Sequence, residues 1–256
     1  MYSSIAASLI FAQLALPVTL EQDRLTACMD EAQRDPATAI ATANEWLEGT
    51  SGTGRSLPQQ CLGIAYTALL RWDAALQAFT TARDARLVDD HLARARLGGM
   101  AGNAALAGET YLQATTLLLR AEEDAIAAGQ PVMAGQFASD RARALVALGL
   151  DSEAAMALAK ARELAPQDAT IWLLSATLAR RMDDLENAQG WIETASRLDS
   201  VNPSVGLEAG LIAALGGFHE AARSSWQSVV DNAGGSPQAA TAQLYLQQLD
   251  EAPSQQ

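Results

Sequence analysis

The chain has 256 residues and a formal charge of −13, which disfavours nucleic acid and anionic lipid surfaces as partners. Apolar residues make up 49% but aromatics only 5%. Much of the apolar content is alanine, which favours helix and close helix approach, and no segment alternates as a strand between hairpin turns. The class expected is therefore all-α.

The first twenty residues, MYSSIAASLIFAQLALPVTL, carry no charged side chain. Their apolar part, Ile5 to Leu16, has the length of a signal-peptide core and is short for a bilayer span. No Lys or Arg precedes it, and no clear A-x-A cleavage site follows. Export is the preferred expectation for 1–20, to the periplasm if the source is bacterial, with no stable membrane insertion after processing. The alternatives are a cytoplasmic chain whose N-terminal helix packs on the remainder, or a retained anchor. Residues 21–48 read as a helix pair, with Asp35-Pro36 opening its second helix. EGTSGTGRSLP (48–58) reads as a flexible loop, so 21–55 forms one N-terminal unit.

From 56 to 232 a pattern recurs. An alanine is followed four positions later by a bulky residue and seven later by another small or apolar one. Ala75, Phe79 and Ala82 fit, as do Ala114, Leu118 and Ala121. Ala154, Leu158 and Ala161 come next, then Ala188, Ile192 and Ala195, and finally Ala222, Trp226 and Val229. The leading alanines are 39, 40, 34 and 34 residues apart. Pro166 should stop one helix, and Asp168 should cap the next. PQAATAQLYLQQL (237–249) reads as a capping helix within 233–256, and DEAPSQQ (250–256) as a frayed tail.

A 34-residue period is that of the tetratricopeptide repeat, or TPR. Residues 58–82 resemble it closely. Leu62-Gly63, Tyr66, Ala75 and Phe79 stand at the family's L-G-x-x-Y…A-x-x-x-F spacing, although Gln59 replaces its opening Trp. Pro166 and Trp172 fall on the family's closing proline and opening tryptophan. The resemblance implies an α-solenoid of about five to six helix pairs with a C-terminal cap. The two longer steps put five or six extra residues near 83–95 and 122–135, where irregular stacking is expected.

In such a solenoid the first helices of successive pairs are neighbours. Cys28 and Cys61, 33 residues apart, would then return to similar heights on adjacent helices. A disulfide is expected in an oxidising compartment, with two separate buried thiols as the alternative. The resemblance also implies an inner groove lined by first-helix residues. On this phasing Arg96, Asn103, Asp140, Arg143, Thr177, Arg180, Arg181 and Glu208 face it. Its arginines could bind carboxylates, or could pair with neighbouring acids, as Arg143 could with Asp140 at i,i+3.

Motifs for chemistry are missing. The glycine-rich loop lacks G-x-x-x-x-G-K-[ST], and there is no G-x-S-x-G. His91 and His219 stand 128 residues apart without a motif around either, and no cofactor or metal is expected. The expected function is a non-catalytic protein-interaction module that takes a peptide or protein segment in the groove, as an envelope assembly or accessory factor. The alternative is a self-associating structural solenoid, with homo-oligomers and no peptide ligand.

Overall fold

The structure, a computed structural model, describes residues 20–251. The expectations for residues 1–19 and 252–256 lie outside them. The described residues form thirteen α-helices, one 3-10 turn and no strand. The first pair is α1 (Leu20–Arg34) and α2 (Pro36–Glu48). Five pairs follow: α3 (Ser56–Ala68) with α4 (Trp72–Asp84), α5 (His91–Ala107) with α6 (Tyr111–Ala127), α7 (Pro131–Ala147) with α8 (Asp151–Leu164), α9 (Ala169–Arg181) with α10 (Leu185–Leu198), and α11 (Pro203–Leu215) with α12 (His219–Asn232). Helix α13 (Pro237–Glu251) covers the end of the stack.

The repeated alanines explain the spacing between helices. Ala75, Ala114, Ala154, Ala188 and Ala222 are all fully buried, with 0% exposure. The bulky residues four positions on, from Phe79 to Trp226, are at most 4% exposed. Each of these large side chains lies over a small residue sixteen positions earlier in the paired helix: Gly63 under Phe79, Gly102 under Leu118 and Gly210 under Trp226. In the other two pairs Ala142 and Ala176 hold the same place beneath Leu158 and Ile192.

Helix starts are capped locally. Asp35 accepts from the amides of Ala37 and Thr38, and Asp168 accepts from Thr170 N–H at 3.0 Å. Asp90 and Asp184 cap α5 and α10 in the same way, so these acids serve helix termini. Helix α8 ends at Leu164, two residues before Pro166, as expected from the proline's missing amide hydrogen.

Three sequence expectations are corrected. The extra residues in the longer repeats do not disrupt stacking. They lengthen α5, α6 and α7 to 17 residues each, against 13 in α3 and α4, which is about one full turn. A whole turn preserves each helix's buried face, so the repeat register continues. The loop expected at 48–58 is shorter. Residues 52–55 form a 3-10 turn, and α3 already begins at Ser56, with Ser56 and Pro58 buried. Asp250 and Glu251, expected in a frayed tail, belong instead to α13, and Asp250 pairs with Arg223 of α12 at 2.6 Å.

Candidate functional site

The first helices carry every residue expected on the groove. The residues divide between two hollows and a set of internal ion pairs. The larger hollow, about 540 Å³, opens between α3, α5 and α7. Ile64, Met100, Met133 and Phe137 line it from the first helices, with Trp72 and Phe79 from α4 beneath. Arg96, Asn103 and Gln136 add polar groups. The double glycine in α5 shapes this hollow: a Cβ at Gly99 would overlap the Phe137 ring, which leans onto the bare backbone there. Two adjacent glycines inside a helix weaken it, and in the sequence they are the readable mark of this close approach.

The second hollow, about 160 Å³, lies between α7 and α9 over Leu158 of α8. Arg143, Thr177 and Arg181 stand around it with Val146 and Leu174. Arg143 donates to Asp140 at 3.3 Å, the i,i+3 pairing open from the sequence, yet its side chain stays 55% exposed. Arg180 is committed elsewhere. It donates to both carboxylate oxygens of Glu208, at 2.6 and 3.4 Å, and Glu208 is buried. This pair ties α9 to α11. The two hollows therefore bring together Arg96 with Asn103, and Arg143 with Thr177 and Arg181. They leave out Asp140, Arg180 and Glu208, which act within the wall.

The sequence pattern gave no sign of the apolar floor of the larger hollow, nor of an ionic seam behind the groove. Asp124 of α6 is surrounded by Arg83 at 2.7 Å, His91 at 3.1 Å and Arg94 at 3.8 Å. Glu122, fully buried, meets Arg141 of α7 at 3.1 Å and Lys160 of α8. Asp124 and its three partners lie near the lengthened ends of α5 and α6, so the added turns join successive pairs through charge. His91 is thus a seam residue, while His219 is exposed at the start of α12.

Further along, Arg162 of α8 lies 4.0 Å from the Trp191 ring centroid and donates to Ser175 Oγ at 2.7 Å. Burial pushes its guanidinium below the ordinary arginine range, although Glu163 works against this. Cys28 of α1 and Cys61 of α3 are buried and face each other, with Cα atoms 6.0 Å apart, inside the range a disulfide requires.

Paired antiparallel helices, repeated small-on-large contacts and a groove lined by first helices define a TPR solenoid. Solved structures share this fold. PilF of Pseudomonas aeruginosa superposes with a TM-score of 0.67 at 15% identity, covering 88% of this chain and 97% of that one. PilW, described as a widely conserved type IV pilus biogenesis factor, gives 0.68 at 15% identity, covering 89% and 100%. YrrB, described as a TPR protein with an unusual peptide-binding site, gives 0.52 at 18% identity, covering 86% and 97%. No family model and no curated protein matches the sequence.

Proposed function

We propose that the chain is a non-catalytic interaction module which holds a protein segment in the groove of its first helices. The observation that carries this reading is the larger hollow. It puts methionines and aromatics, which adapt to varied apolar partners, beside the free polar groups of Arg96 and Asn103. The likeness to PilF and PilW in fold adds the setting of an envelope assembly or accessory factor. Export of the chain would suit both that setting and the juxtaposed Cys28 and Cys61. Among the described residues no helix is long and apolar enough to cross a membrane.

The test is site-specific photocrosslinking in the native host. A photoreactive side chain at Asn103, exposed on the groove wall, should capture a discrete partner. The same group at Met156, exposed on α8, should not capture it. Capture of the partner from Met156 alone would move the binding face to the second helices. Crosslinking only to a second copy of the chain would favour the self-associating solenoid instead.

A further inference from the structure

The charges of the array are sorted by helix. The first helices α3, α5, α7, α9 and α11 hold six arginines and two carboxylates. The second helices α4, α6, α8, α10 and α12 hold twelve carboxylates against six Lys or Arg. An acidic chain of net charge −13 thus presents its groove from its most basic elements.

Internal pairing removes only part of that basic excess. Arg94 and Arg141 turn to Asp124 and Glu122 in the seam, and Arg180 is held by Glu208. Arg143 spends one nitrogen on Asp140 and keeps the rest of its fork exposed. Arg96 and Arg181 are exposed and have no ion pair or hydrogen bond among the described residues. Both carboxylates of the first helices, Asp140 and Glu208, are already neutralised. The free charge on the groove wall is therefore positive and is carried by Arg96 and Arg181, while Arg143 shares its charge with Asp140 and contributes unused donors. The acids of the outer helices lie a helix layer away, about the 8–10 Å over which salt screens charges.

The free positive charge is split between the two hollows, because Arg96 lines the apolar one itself. The floor is centred on α5, while Arg143 and Arg181 flank the hollow between α7 and α9. Helix α7 lines both hollows: Met133 and Phe137 of the floor stand ten and six residues before Arg143, about 9–15 Å along the helix axis, or about three to four residues of extended chain.

We propose, resting on the groove as the binding site, that its ligand is a segment with a bulky apolar pair and an acidic cluster about four residues away. The apolar pair fills the hollow over Met100, Met133 and Phe137. The acidic side chains take bidentate hydrogen bonds from Arg143 and Arg181. Asn103, which also lacks a partner, is placed to hold the backbone of the segment near its apolar end.

The test is fluorescence anisotropy with labelled synthetic peptides. The probe carries Phe-Leu, a four-residue Gly-Ser spacer and Asp-Glu-Asp. Three relatives replace the acids by Lys, replace Phe-Leu by Ser-Ser, or cut the spacer to one residue. The probe should bind, and each relative should bind at least about tenfold more weakly. The double variant Arg143→Glu and Arg181→Glu should reverse the preference, favouring the Lys peptide, with unchanged circular dichroism. Equal binding of the acidic and Lys peptides, or no binding of the probe, would overturn the proposed ligand chemistry. So would an affinity unmoved by the double variant. Photocrosslinking from Asn103 is independent of these peptides. If it succeeds while they fail, the groove stands and only the ligand chemistry falls. If it fails, the groove itself falls.

Discussion

Gly63 of α3 lies directly beneath the Phe79 ring of α4, so closely that a Cβ on the glycine would overlap the ring edge. The contact recurs at Gly102–Leu118 and Gly210–Trp226, which makes it the joint of the solenoid. Phe79→Ala should cost roughly 3–5 kcal/mol by emptying a buried site. Gly63→Ala should cost roughly 1–3 kcal/mol by overpacking it. In Gly63→Ala/Phe79→Leu the two effects should partly cancel. Urea denaturation of Gly63→Ala, Phe79→Leu and their double variant measures this, and strict additivity would show that the residues do not share a joint.

Leu70 occupies a left-handed backbone conformation, with φ of 56°, in the turn between α3 and α4. Two of the four equivalent turns use Gly149 and Gly217, which adopt that conformation without a Cβ penalty, and the other two place Glu109 and Asp183 there. Leu70 is 69% exposed, so its side chain contributes little burial. Leu70→Gly should therefore stabilise the chain by roughly 0.5–1 kcal/mol, because relief of the Cβ clash exceeds the added entropy of the unfolded state. A lower thermal midpoint in this variant would contradict the strain assignment.

Glu122 is fully buried between Arg141 and Lys160. Removing its carboxylate leaves two cations facing a hole, one of them mostly buried. Glu122→Ala should destabilise by roughly 3–5 kcal/mol. Glu122→Gln keeps the shape but not the charge, and should still lose at least half of that. A neutral result for Glu122→Gln in chemical denaturation would mean that packing, not charge, holds this seam.

The cysteines offer a redox test. If the chain is oxidised in its native compartment, non-reducing mass spectrometry should find Cys28 joined to Cys61. In the chain-entropy model, closing this 33-residue separation stabilises by about 3–4 kcal/mol. Reductant should then lower the thermal midpoint of the native chain but leave that of Cys28→Ser/Cys61→Ser unchanged. Free thiols in protein from its own compartment would remove the bridge and, with it, a support for export.

Asp35 provides a pH signature. Its carboxylate accepts from the Thr38 hydroxyl and amide and from the Ala37 amide, which together hold its pKa below 3.8. The ionised cap therefore stabilises the folded chain fully above the unfolded value, and the benefit disappears as pH falls through the lower folded value. The gap in thermal midpoint between wild type and Asp35→Ala should be widest near neutral pH and should narrow below pH 3.8. A gap independent of pH would mean that the cap does not act through its charge.

Periodicity within single helices was legible from residue order alone. The alanine phase, the proline stop at Pro166, the cap at Asp168 and the first-helix placement of all eight groove candidates depend on spacing along one helix or between paired helices. Such spacing is a property of the chain itself. The tertiary structure decided what crosses between pairs. Arg180 and Glu208 stand 28 residues apart, and only the stacking of α9 on α11 turns them into an internal pair. By the same stacking Arg96 and Arg181 are left free, Phe137 is laid on Gly99, and Asp124 is ringed by three basic groups. The extra residues of the long repeats could have formed loops or helix. They became helix because a full added turn keeps the buried face in register, a condition that depends on the neighbouring helix as well as on the residues themselves.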